Sequence, residues 1–263
     1  MEVTESGAAG EVARRGAAGA NPWGLSWALG GLAAGFVCSG VAIAAYMGAR
    51  GLHHGTGGFG GELVGFGALW LGLAGAAVLA VWSRPRSGRF RLPKALAENY
   101  GFSLRLWPDV PLGIAAGVGA QYLLVWVLEA PLAPFVPHLF HRISMPAENL
   151  VAHVHGPGLI VLGLFVCVGS PLVEELFFRG LLLRALIGGL ARWRARVAVP
   201  LAVVIVGLVF GLVHFEALDF PALAGFGVVL GVLATRTGRL GAGICAHVTF
   251  NVTAFFTLAT VHF

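Results

Sequence analysis

Glu174, Glu175 and Arg179 stand together in Pro171–Gly180, and the residues before this stretch, Gly158 to Cys167, are apolar apart from glycine. An ionisable side chain at mid-bilayer depth costs about 2.5–3.5 kcal/mol even on the mildest scale, so three in one turn and a half of helix point to function. Proton transfer is the chemistry that such a group supplies. Glu175 and Arg179 are i,i+4 and face each other, so Arg179 is expected to neutralise Glu175. Glu174 points about 100° away at 3.6 residues per turn and has no sequence-local partner. A free carboxylate in an apolar surround suits the abstraction of a proton from water.

Three further polar side chains are equally misplaced: His214 in Phe210-Gly211-Leu212-Val213-His214, and His247 and Asn251 in His247-Val248-Thr249-Phe250-Asn251. His247 and Asn251 are also i,i+4, so one helix face offers an imidazole and an amide to one small volume, as oxyanion stabilisation requires. Depth supports a meeting. At ~1.5 Å per residue, Glu174 lies roughly 24 Å from a helix end at Leu190 and His214 roughly 22 Å from a start at Pro200, level in antiparallel neighbours. Taken singly, each residue has a structural alternative, since a lone membrane histidine or a Glu–Arg pair is often helix-to-helix glue. The convergence of three segments favours a site.

The elements that position these groups must be membrane helices. With 57% hydrophobic and 11% charged residues and a mean hydropathy of +0.85, the chain lies outside the soluble globular range. The expected fold is all-α, a polytopic bundle of about seven transmembrane helices with the catalytic core in the last four. The expected spans are Trp27–Ala49, Leu63–Trp82, Val110–Leu128, Gly158 to about Leu190, Val197–His214, Phe220–Ala234 and Leu240–Val261. Residues 1–22 read as a disordered cytosolic tail, 23–157 as a variable membrane region and 158–263 as the core. Glycines at Gly31 and Gly35, Gly113 and Gly117, and Gly227 and Gly231 have the spacing that lets membrane helices approach closely.

Of the seventeen Lys and Arg, only Arg50 and Arg142 lie in the other loops and Arg179 and Arg184 within a span; the rest fall in the tail and the second, fourth and sixth loops. This bias places the N-terminus in the cytosol and the C-terminus outside. It also makes the excess charge a topology signal, so no nucleic-acid partner is expected. Leu92–Leu106 reads as an interfacial amphipathic helix. Pro131–Pro157, with His138, His141, His153 and His155, reads as a wet loop with no metal-site spacing. His53 and His54 fall in a polar loop. Cys38, Cys167 and Cys245 are too widely spaced for a redox or metal motif and read as small core hydrophobes.

In order, Glu174-Glu175-x-x-x-Arg179, Phe210-x-x-x-His214 and His247-x-x-x-Asn251 resemble the three motifs of the CAAX prenyl protease and bacteriocin-processing superfamily, to which the Rce1-type CAAX proteases belong. The similarity covers about Gly158 to Val261. It implies an intramembrane endopeptidase in which Glu174, assisted by His214, activates a water. His247 and Asn251 would form the oxyanion site, Glu175 and Arg179 would hold the motif helix, and Phe210 would pack beside His214. No cofactor is expected; zinc is the alternative, weakened by the lack of H-E-x-x-H and by Arg179 beside Glu175. The implied partners are membrane lipid and a membrane-associated or lipidated peptide or protein. A non-proteolytic membrane protein, either a bacteriocin immunity or secretion partner or a proton-coupled carrier built on Glu174, is the competing class. The Ala/Gly/Arg-rich composition suggests a bacterial plasma membrane, where prenylated substrates are not expected.

Overall fold

The computed structural model describes residues 24–52, 55, 58–84, 89–152 and 154–262. The tail at 1–22, His53, His54, Arg86 and His153 lie outside the described residues. Eight helices and no strand are present among the described residues: α1 Gly24–Arg50, α2 Gly58–Trp82, α3 Leu92–Tyr100, α4 Leu106–Leu124, α5 Leu139–Val151, α6 Pro157–Leu212, α7 Phe220–Thr237 and α8 Gly241–His262. α4 runs on through a π-helical turn, Val125–Glu129, and a 3₁₀ turn, Ala130–Leu132.

Five segments are long and apolar enough to cross a bilayer. One of them, α6, has 56 residues, roughly 84 Å at 1.5 Å per residue against a hydrocarbon core of about 30 Å. It is two spans, and it breaks at Arg194, whose φ of −147° and ψ of 85° are not helical. α8 has 22 residues and is not among the five; the class expected from the sequence, an all-α polytopic membrane bundle, is the one observed. Leu71, Leu123 and Val37 are exposed mid-helix, as lipid-facing side chains are. Trp107 and Trp193 at one end and Trp126 and Phe135 at the other are also exposed, where aromatic rings meet headgroups.

Pairing follows the small residues. A Cβ on Gly72 would meet Gly35 Cα at 2.4 Å, one on Gly117 would meet the Ala246 carbonyl at 2.4 Å, and one on Gly227 would meet Gly207 Cα at 2.8 Å. The three glycine pairs therefore lie at the α1–α2, α4–α8 and α6–α7 contacts, where backbones touch in the absence of any hydrophobic drive between helices.

The basic loops share one face and are knitted together there. Arg184 donates to the Tyr100 carbonyl at 2.9 Å and the Gly238 carbonyl at 3.3 Å, Leu240 N–H donates to the Gly101 carbonyl, and Arg239 pairs with the buried Asp109 at 2.6 Å. Arg184 sits on α6 and not in a loop. Tyr100 OH donates to the Ala77 carbonyl at 2.9 Å, and burial pushes its phenol up to about 12.

Two local expectations need correction. The interfacial helix ends at Tyr100, because Gly101 takes a left-handed φ of 67° and terminates it. Pro131–Pro157 is not a loop throughout: its apolar residues recur at helical spacing and form α5, with Leu139 and Val151 buried. His141 there faces Glu148 at 3.9 Å.

Candidate active site

α6 carries the acidic motif across a change of helix type. Pro157–Leu164 is α-helical, Phe165–Gly169 is a π turn, Ser170–Glu174 is α-helical again, and Glu175–Leu182 is π-helical. The boundary falls between the two glutamates. Such widened turns leave backbone carbonyls free for other donors and recur at functional sites.

Glu175 and Arg179 are both 0% exposed, and Arg179 Nη1 donates to Glu175 Oε1 at 2.9 Å. Nη2 donates to the Gly227 carbonyl of α7 at 3.1 Å, and the guanidinium lies 4.5 Å from the centroid of the Phe210 ring. The expected neutralisation is present, with a second partner that the sequence did not reveal: His247 Nδ1 lies 3.1 Å from the same Glu175 oxygen. An ionised carboxylate only accepts, so Nδ1 carries the proton and His247 Nε2 is turned the other way. Nε2 lies 3.9 Å from Glu174 Oε2. The His247 ring is held edge-on between Phe210 and Phe226, at 5.6 and 5.4 Å.

Glu174 is not without a local partner. Ser170, one turn earlier, donates its hydroxyl to Glu174 Oε1, whereas Glu174 Oε2 is buried with no hydrogen-bond partner among the described residues. The signal was in the sequence: Ser170 precedes Glu174 by four residues, the spacing used for Glu175 and Arg179. Asn251 Nδ2 donates to the Val166 carbonyl at 2.9 Å, in the π turn of α6, which fixes the orientation of the amide. His214 lies just past the end of α6, in a turn, and its Nδ1 donates to the Phe210 carbonyl at 2.7 Å. Phe210 packs against the His214 ring, at 4.8 Å between centroids.

Glu174, His214, His247 and Asn251 line one cavity of about 260 Å³. Its remaining wall includes Phe66 and Trp70 of α2 and Val151 of α5, residues for which the sequence offered no functional signal. Trp70 is held by stacking on Phe165, 3.9 Å between centroids. The cavity brings all four residues together, with His247 against Glu174, whereas the structure shows no direct bond between His214 and Glu174. For a cation, Glu175 Oε1 is already taken by Arg179 and His247, and among the described residues no three His, Cys, Asp or Glu are grouped to hold a metal.

Residues 156–253 match the family of Rce1-like proteins, described as type II CAAX prenyl endopeptidases. The matched segment contains every residue of the three motifs. No curated protein and no solved structure shows a significant match to the chain.

Proposed function

With residues 156–253 an Rce1-like, CAAX-endopeptidase-type segment in a polytopic membrane bundle, we propose that the protein is a glutamate-dependent intramembrane endopeptidase whose base is Glu174. The observation that carries this reading is the buried Glu174 Oε2, which has no hydrogen-bond partner among the described residues and lies 3.9 Å from His247 Nε2, in a cavity shared with His214, His247 and Asn251. Ser170 engages Oε1, so Oε2 is the oxygen left to accept a proton from water. The resulting hydroxide adds to the peptide carbonyl carbon, and the carbonyl electron pair moves to oxygen. The second N–H of the Asn251 amide and, in the imidazolium form, the Nε2–H of His247 supply donors to that oxyanion. Collapse of the intermediate breaks the C–N bond, and protonated Glu174 returns its proton to the leaving amine. His214 Nε2, free of the Phe210 bond, orients the water from the far wall. Glu175 acts through His247 and Arg179, fixing the orientation of the imidazole ring and anchoring α6 to α7.

The substrate is a membrane-associated or lipidated polypeptide, since the site lies within the helical bundle. We place the basic face at the cytosol, by the positive-inside rule, with the N-terminus on that side and the C-terminus outside, and take residues 23–157 as the variable membrane region and 158–263 as the catalytic core. The mechanism uses no metal.

The test compares the termini of the membrane proteome in cells expressing the wild type or Glu174→Gln at matched levels. Termini that vanish with the variant identify substrates and the bond cleaved. Identical termini would overturn the protease reading in favour of a non-proteolytic membrane protein. Activity of purified protein after exhaustive chelation separates the metal-free mechanism from a zinc one, because loss restored by stoichiometric zinc would reject it.

A further inference from the structure

The catalytic cavity has a neighbour. A second chamber of about 310 Å³ shares Phe66, Glu174 and His214 with it, so the two meet at the proposed base. That volume is at the lower end of ligand-sized cavities, roughly 300–1,000 Å³. Its far wall comes from α1 and α2, which lie outside the matched segment, and is chiefly apolar: Leu32, Phe36, Ile43 and Leu69, with Ser39 among them. Phe215, next to His214, is a non-glycine residue at a φ of 58°, a conformation that bulky side chains rarely adopt and that clusters at functional positions. Its ring nonetheless meets Phe36 of α1 edge to face, with centroids 5.5 Å apart. The turn that carries His214 is thus latched onto α1 across the chamber. Glu62 of α2 and Glu216 of the turn are also on its wall, and burial beside Asp219 holds the Glu216 carboxyl above the usual range.

A polypeptide whose scissile carbonyl sits at Glu174 extends away from that point in two directions, and there are two chambers meeting there. We propose that the α1–α2 chamber is a substrate subsite that receives a large apolar side chain beside the scissile bond, and that Phe36 and Ser39 set its size limit. The Glu62 carboxylate on the same wall disfavours an acidic residue at that position. Specificity then resides in helices outside the matched segment, while the chemistry resides within it. This inference rests on the endopeptidase reading above.

The test uses the full-length protein in phosphatidylcholine liposomes and a pooled library of amphipathic peptides randomised one position at a time, with cleaved bonds read by mass spectrometry. The wild type is expected to prefer a large apolar residue, and to reject Asp and Glu, at one position on a fixed side of the cut. Ser39→Leu, which fills the chamber, should reduce cleavage of Phe- or Leu-containing peptides relative to Ala peptides by about 10-fold or more, the usual worth of a misfitting group in an apolar pocket. Phe36→Ala should move the preference toward larger side chains. Profiles identical to the wild type in both variants, or an equal loss on all peptides with folding preserved, would overturn the subsite and leave the protease reading standing. Failure of the wild type to cleave any peptide, with Glu174→Gln indistinguishable from it, would overturn the protease reading and the subsite with it.

Discussion

Removing the Arg179 guanidinium while leaving Glu175 in place tests whether the buried pair is a support for the site. Arg179 and Glu175 are both 0% exposed, and Arg179→Met takes away the donor at 2.9 Å from Glu175, the bond to the Gly227 carbonyl and the stacking on Phe210. Glu175 would keep only His247 Nδ1 as a donor, because its Oε2 already has no partner among the described residues. Breaking one side of a buried ion pair costs about 3–5 kcal/mol, since the remaining charge stays buried. At about 2–4 °C per kcal/mol for a chain of this size, the unfolding midpoint should fall by roughly 6–20 °C. The double variant Glu175→Gln/Arg179→Met removes both charges and should recover much of that loss, so the cycle should show strong coupling. Tryptophan-fluorescence unfolding of detergent-purified protein measures all four members. An Arg179→Met midpoint equal to that of the wild type, or a double variant as unstable as the two single changes added together, would refute the assignment.

Ser170→Ala should lower kcat with KM little changed, because the hydroxyl only orients Glu174; a lost hydrogen bond to a charged group of about 1.5–3 kcal/mol corresponds to roughly 10- to 160-fold, and Ser170→Thr should restore most of it in the same peptide assay. Asn251→Ala should reduce kcat by about 10²–10³-fold, as for other lost oxyanion donors, with wild-type levels of folded protein in membranes; unchanged turnover would remove Asn251 from the mechanism. Gly117→Val should destabilise the fold by more than the roughly 1–3 kcal/mol typical of overpacking, read as a lower unfolding midpoint, since a Cβ there already meets the Ala246 carbonyl at 2.4 Å.

Much of the site was legible because membrane insertion makes polar residues conspicuous. In an apolar helix, Glu174, Glu175, Arg179, His247 and Asn251 each stand out by cost alone, and the i,i+4 rule paired Glu175 with Arg179 as the structure does. The same rule applied backwards finds Ser170, which as a neutral hydroxyl carries little cost in lipid and drew no notice. Phe66, Trp70 and the α1–α2 chamber were not legible, because an apolar residue that lines a cavity is indistinguishable in sequence from one that faces lipid or core. The helix α5 was obscured by prolines and histidines, although its buried residues recur at helical spacing.

From sequence alone came the all-α membrane class, the approximate spans, the glycine contacts and the identity of the expensive polar groups, because each depends on the local balance between side chain and lipid. Only tertiary structure decided which groups meet. His247 is 72 residues from Glu175, and whether its ring bridges two carboxylates or faces a neighbouring helix depends on how α6, α7 and α8 rotate against one another. That rotation is set by glycine contacts and by the Arg179–Gly227 bond; the glycine spacing marks a face that can approach closely, but which helix it meets is decided across the bundle.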